Sequence, residues 1–421
     1  MEQLSYNKFN GIVSITNKNA ANTTISSYSY TYDAAGRQTG KTDGFGTTSY
    51  SYDSVGRITQ VQAPGKTSQY QYDAAGNRTG LVEEYADEKT FTEIDEGHGN
   101  VVQYKKKEVT YSYNGNNQLV NSIENMYDAG QQFVIGKTAS YTYDQNGNQA
   151  FVTEGILSQG QGTEGVEVAL FVEGQHTLSG YISITENSYD GFGRLTNVKR
   201  IRTSGTTSTS FVYNGDGLRT SKTVQTAEGP QTVNYQYDGQ YVVRESGAST
   251  ATYVRGLSYI AKIGASNETS YYLYNAHGDV VQLTDAAGVV KNQYDYDSFG
   301  TASLEIEEVE NSIRYSGEFY DASTELYYLR ARYYNSETGR FISADSYAGG
   351  MKDPASLNLY SYCLNDPVQH VDPSGHVSEQ QQKSITSAFN AFMHGIISKE
   401  EYQASVRLNG GIPLGGDLRC V

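Results

Sequence analysis

The residues of this chain that could do chemistry are few. The six histidines, His98, His176, His277, His370, His376 and His394, stand scattered. No Gly-rich phosphate loop, Cys-x-x-Cys pair, His-Glu-x-x-His or Gly-x-Ser-x-Gly turn occurs. No metal or cofactor is therefore expected. Asn-Gly and Asp-Gly pairs mark turns but lack the spacing of a calcium loop. Cys363 and Cys420 can make at most one disulfide, which implies no framework and no redox compartment, and Cys420 has no local His or Asp to activate it. Carboxylates remain. Asp345, Asp353, Asp366 and Asp372 crowd the C-terminal region, the last three each before a proline. Two carboxylates brought close cannot both ionise, so one keeps its proton as an acid while the other activates water. Peptide hydrolysis needs that pairing. Asp353 and Asp366 read as turn formers, and His370 and His376 flank Asp372.

The elements that must hold such groups are strands. The chain has 421 residues with 44 Gly, 38 Tyr, 13 Phe and no Trp. So many amphipathic rings suit pleated strands with half-wet interior positions. Tyr30-Thr31-Tyr32-Asp33-Ala34-Ala35-Gly36-Arg37 recurs as Tyr50-Ser51-Tyr52-Asp53-Ser54-Val55-Gly56-Arg57, then as Tyr70-Gln71-Tyr72-Asp73-Ala74-Ala75-Gly76-Asn77. Looser copies continue to Tyr294-Asp295-Tyr296-Asp297. Tyr-x-Tyr sets two rings on one face of a strand. Asp then opens a turn through its own downstream backbone, and Gly supplies the positive-φ position. Repeated hairpins of this kind make a long antiparallel ribbon. The charged stretch 83–108 and the Gly- and Gln-containing stretch 149–182 lack the motif and read as surface insertions on hairpin loops.

The Tyr-Asp-x-x-Gly-Arg units resemble the YD repeats of Rhs proteins, bacterial wall-associated proteins, toxin-complex C subunits and animal teneurins, over residues 5–376. The block Arg314–Gly375, with Arg330-Ala331-Arg332-Tyr333-Tyr334, Arg340-Phe341-Ile342-Ser343-Ala344-Asp345 and Val371-Asp372-Pro373-Ser374-Gly375, is similar to the Rhs-associated core. The resemblance implies an all-β ribbon spiralling into a partial or complete hollow shell. It implies that the core block is a plug that cuts its own chain, with Asp345 and Asp372 as aspartyl-protease carboxylates and Arg332 assisting. The cut would fall at Gly375, His376 and Val377, and would free the C-terminal segment as an effector carried in cis. Where the family reads Pro-Asp-Pro this chain has Ala344-Asp345-Ser346, and His376 stands where Leu is common.

The expected organisation is a repeat region 1–313, the core block 314–376 and a variable tip 377–421. In the tip, Ile385, Phe389, Phe392, Met393 and Ile396 follow a helical period, and Ser398 with Glu401 reads as a capping box, so a short α-helical C-terminal segment is expected. About 45 residues make a marginal core and are too few for most enzyme domains. His394 there reads as structural. The formal net charge of −16 argues against nucleic acid as partner of the main body. No transmembrane run occurs, and Met1–Tyr6 lacks the order of a signal peptide. The resemblance points to a secreted or cell-surface bacterial protein, part of a longer polypeptide or exported by a dedicated system. Its partners would be an immunity protein, a secretion apparatus or a surface glycan. The other readings are an adhesive or carbohydrate-binding surface protein and a truncated fragment whose plug is inert.

Overall fold

The computed structural model describes residues 2–8, 11–95, 98–157, 181–202, 204–349 and 354–376. They form one sheet of 24 strands and a second sheet of four. In the large sheet each strand pairs antiparallel with its sequence neighbours, from Glu2–Tyr6 on Ile12–Lys18 to Val290–Tyr296 on Ala302–Glu307.

The repeat explains the ribbon atom by atom. In the first copy Oδ1 of Asp33 accepts the N–H groups of Ala35 and Arg37, both at 2.9 Å. Gly36 takes φ +83°, a conformation that glycine adopts without Cβ strain. The Arg37 Nε donates back to Asp33 at 2.8 Å, and the guanidinium lies 5.2 Å from the ring of Tyr52 in the next copy. Arg57 repeats this with Asp53 at 2.7 Å and Tyr72 at 4.9 Å, and it also donates to the Asp73 carbonyl at 2.8 Å. The arginine is therefore a clip between copies as well as the start of a strand.

The second tyrosine of each pair sits at a register shift, as at Tyr32, Tyr52, Tyr72 and Tyr213. In several copies its hydroxyl reaches back to a carbonyl of the preceding copy: Tyr32 to Ile12 at 2.6 Å, Tyr52 to Gln38 at 2.7 Å, Tyr213 to Leu195 at 2.6 Å and Tyr274 to Tyr259 at 2.7 Å, whereas the buried Tyr72 hydroxyl has no partner among the described residues. The bulge leaves a carbonyl unpaired in the ladder, and the phenol satisfies it.

The ribbon returns on itself. Tyr30 Oη accepts the Ala276 N–H at 2.9 Å, and Lys41 reaches Asp295 at 3.5 Å. A cavity of ≈ 730 Å³ lies among these strands, lined by Tyr30, Lys41, Tyr50, Glu83, Lys107 and Asp295. The charged stretch 83–108 is not a loop. It belongs to a long hairpin, Arg78–Asp95 on His98–Tyr113, where buried Glu83 pairs with Lys66 at 2.9 Å and Lys107 at 2.7 Å. Gln149–Leu157 pairs with Tyr181–Tyr189 on the far side of the second motif-poor stretch.

The four short strands Phe319–Asp321, Leu326–Leu329, Arg332–Asn335 and Arg340–Phe341 form the small sheet. Its residues share a buried cluster with the ribbon, in which Phe319, Leu326, Tyr328, Tyr333 and Ile342 meet Leu195, Phe211, Tyr235, Tyr253 and Tyr272. Polar anchors fix its place. Arg219 and Asp321 form a buried ion pair, Asn365 donates to the Gly76 carbonyl at 2.8 Å, and Tyr360 to that of Gly147 at 2.8 Å. Asn77, which replaces the repeat arginine, accepts from Asn358 at 2.8 Å and Arg340 at 3.2 Å.

The helical part of the expected fold is corrected. Among the described residues no α-helix occurs, only the 3-10 turns Tyr315–Gly317, Pro354–Leu357 and Cys363–Asn365. The helical period from Ile385 to Ile396 and the box at Ser398 lie outside the described residues. A dozen residues with a 3.6-residue apolar period express a local preference, which fixes a helix only when its face is packed. The fold is all-β, with a large extended antiparallel sheet. No helix among the described residues is long and apolar enough to cross a membrane.

Candidate active site

Three segments of the core block meet in a small cleft of ≈ 40 Å³ lined by Arg332, Asp345, Leu359, Cys363, Asp372 and His376. The first segment is a two-residue hairpin. Leu329 pairs with Arg332, Arg330 takes φ +57° between them, and Arg332 opens the next strand. The second follows Arg340–Phe341, where the Asp345 N–H donates to the Leu359 carbonyl at 3.0 Å. The third is the Asp-Pro-Ser-Gly turn. Its Asp372 Oδ1 accepts the Gly375 N–H at 2.9 Å, the Ser374 hydroxyl at 3.1 Å and the His376 N–H at 3.2 Å. Gly375 has φ +72°, and a Cβ there would collide with the Leu329 carbonyl. Only glycine lets this turn lie against the hairpin.

Arg332 is the hub. Its Nη2 lies 2.7 Å from Oδ2 of Asp345 and 3.7 Å from Oδ2 of Asp372. Its Nε donates to the Gly375 carbonyl, and Nη1 to that of Leu359 at 2.9 Å. The guanidinium carbon lies 3.6 Å from the Phe341 ring centre, a stacking that Arg tolerates because its planar cation is weakly hydrated. Burial holds the guanidinium below its usual range, against the pull of both carboxylates. Burial also pushes the Asp372 carboxyl up, only partly offset by Arg332. The two acids therefore differ in their surroundings: Asp345 lies directly on the guanidinium, whereas Asp372 is farther from it and pushed up by burial.

The structure brings together Arg332, Asp345, Asp372, Gly375 and His376. Val377 lies outside the described residues, as do Asp353, His394, Cys420 and any pairing of Cys420 with buried Cys363. Asp366 stands apart, with Oδ2 accepting from Gln369 at 2.7 Å. His370 lies 3.8 Å from Asp366, and its carbonyl is 3.2 Å from Nε2 of His277. Two contacts are visible only in the structure. Arg330 pairs with Glu318 and donates to the Pro373 carbonyl at 2.7 Å, steadying the Asp372 turn; burial, against the Arg330 charge, pushes Glu318 up to about 7. His376 Nδ1 lies 3.0 Å from Oδ1 of Asp345. The sequence placed His376 at the cut and beside Asp372, but not against Asp345.

The RHS Repeat family matches residues 32–68 and 52–86, and the Teneurin YD-shell family matches residues 245–368. The chain belongs to the RHS/YD-repeat family. This RHS/YD-repeat chain is 32% identical over 265 residues to the tRNA3(Ser)-specific nuclease WapA of Bacillus spizizenii, covering 57% of this chain and 11% of that protein. It is 28% identical to double-stranded DNA deaminase toxin A of Burkholderia cenocepacia, over 45% of this chain and 15% of that one. Among solved structures it resembles TcdB2-TccC3 without the hypervariable C-terminal region, with 21% identity and a TM-score of 0.39 over 89% of this chain and 21% of that one. The RHS/YD-repeat chain thus spans only a small part of the length of these relatives.

Proposed function

We propose that this is the C-terminal part of a bacterial Rhs-type toxin, secreted or displayed at the cell surface, whose core block cuts the Gly375–His376 bond and frees the segment beyond it as an effector. The observation that carries this reading is that Arg332 and Asp372 both bond that one peptide unit, with Asp345 paired to the same Arg332.

Each group has a task. The Arg332 Nε–H, bonded to the Gly375 carbonyl oxygen, polarises it and stabilises the oxyanion of the tetrahedral intermediate. Asp345, 2.7 Å from Arg332, takes the proton of the attacking water. Asp372, whose carboxyl burial pushes up, lies 3.2 Å from the His376 nitrogen through Oδ1. It accepts the N–H in the resting chain and is placed to protonate the same nitrogen once that nitrogen becomes pyramidal. Water's hydroxyl ends on Gly375 as a carboxyl group, and the proton from Asp372 ends on the new amine of His376. One cut removes the substrate, so the reaction runs once per chain. The released segment, rather than the β-ribbon, would then meet the immunity protein or the target.

The test is the intact mass of the purified chain beside Asp345→Asn and Asp372→Asn. A break after Gly375 in the wild type, absent from both variants, supports the reading. An uncut wild type overturns it and leaves the core block an inert plug in a display protein.

A further inference from the structure

Beyond Arg332 and the two aspartates, the ring that reaches the reacting groups is that of His376. Its Nδ1 meets Oδ1 of Asp345 at 3.0 Å, while Arg332 takes Oδ2 at 2.7 Å. Two nitrogen donors therefore hold opposite ends of one carboxylate. His376 is the open member of the pair, with 42% of its side chain exposed against 9% for Asp345. The other titratable or charged groups facing it are Asp372, which accepts its backbone N–H, Arg332 behind the carboxylates, and Tyr347 and Cys363 on the cleft wall.

We propose, building on the self-cleavage reading above, that His376 positions Asp345 for the cut that precedes it. The reaction then requires a hydrogen-bond donor directly after Gly375. A carboxylate held at one end only can swing about its Cβ–Cγ bond. A second donor fixes its plane relative to the Gly375 carbonyl carbon, where a small misplacement of the base is costly. The imidazole donates through Nδ1 both as the cation and as the neutral Nδ1–H form. His376 departs with the released segment, so the cut dismantles the pair that positioned the base.

The test uses the full 421-residue chain made by cell-free translation and chased over time, with the uncut fraction read by intact mass. His376→Leu should cut about tenfold more slowly than the wild type. His376→Gln keeps a hydrogen-bond donor, so it should restore most of the rate. A wild-type rate in His376→Leu would overturn the proposal while leaving self-cleavage standing. So would a His376→Gln variant as slow as His376→Leu. A wild type that stays whole overturns the self-cleavage reading and the role of His376 together.

Discussion

Nη2 of Arg332 lies 2.7 Å from Oδ2 of Asp345. That contact divides the work between two aspartates on separate segments. The same guanidinium is 3.7 Å from Asp372, whose carboxyl burial pushes up. Bonded also to the Gly375 carbonyl, Arg332 joins both aspartate segments to the Asp-Pro-Ser-Gly turn.

Arg332→Lys is the sharpest probe of that division. A lysine keeps a positive charge for Asp345 but lacks the planar fork that also reaches the Gly375 carbonyl. Self-cleavage, followed as intact mass against time, should fall at least about 100-fold, the usual cost of removing a donor to a developing oxyanion. Asp345 should still bind the lysine, so the ribbon should keep its far-ultraviolet circular dichroism.

Asp366 should set a pH dependence of stability. Burial pushes its carboxyl up to about 6, with Gln369 only partly offsetting it, and Oδ1 has no hydrogen-bond partner. An unfolded aspartate titrates near about 4. Between about 4 and about 6 the folded chain holds a proton that the unfolded chain lacks. This contribution to stability is thus fully present below about pH 4 and is lost as pH rises through about 6. Asp366→Asn should melt higher than the wild type at pH 8, by on the order of 2 kcal/mol, and the difference should vanish near pH 4.

The Arg219–Asp321 pair should anchor the core block to the ribbon. Both side chains are 1% exposed, and Lys222 adds a second contact to Asp321 at 2.8 Å. Arg219→Met strips the buried carboxylate of its closest partner, a loss of about 3–5 kcal/mol. Chemical denaturation should register it, together with faster proteolysis after Arg330 or Arg332.

The repeat clip gives a smaller and more local effect. Tyr52→Phe removes the hydroxyl that bonds to the Gln38 carbonyl and leaves that carbonyl unpaired, at about 1 kcal/mol. Arg57→Ala loses its bonds to Asp53 and Asp73 and its place over Tyr72, again about 1–2 kcal/mol. Hydrogen exchange should localise both to the first copies and leave the cleft unchanged.

Local grammar was written in the sequence. Tyr-x-Tyr, the turn aspartate and the positive-φ glycine act within one hairpin, so the antiparallel ribbon was legible from Asp33, Gly36 and their copies. The motif also pointed to Arg332, Asp345 and Asp372 as residues to look for. Contacts across long sequence distances were not legible: that the arginine of one copy clips the next, that Glu83 turns a charged stretch into a hairpin, and that His376 closes on Asp345. The 3.6-residue apolar period after Ser384 lies outside the described residues. Residues 332, 345 and 372 are separated by whole turns and strands. Only the packing of the small sheet against Gly375, where a side chain would not fit, sets the distances that let two carboxylates share one guanidinium.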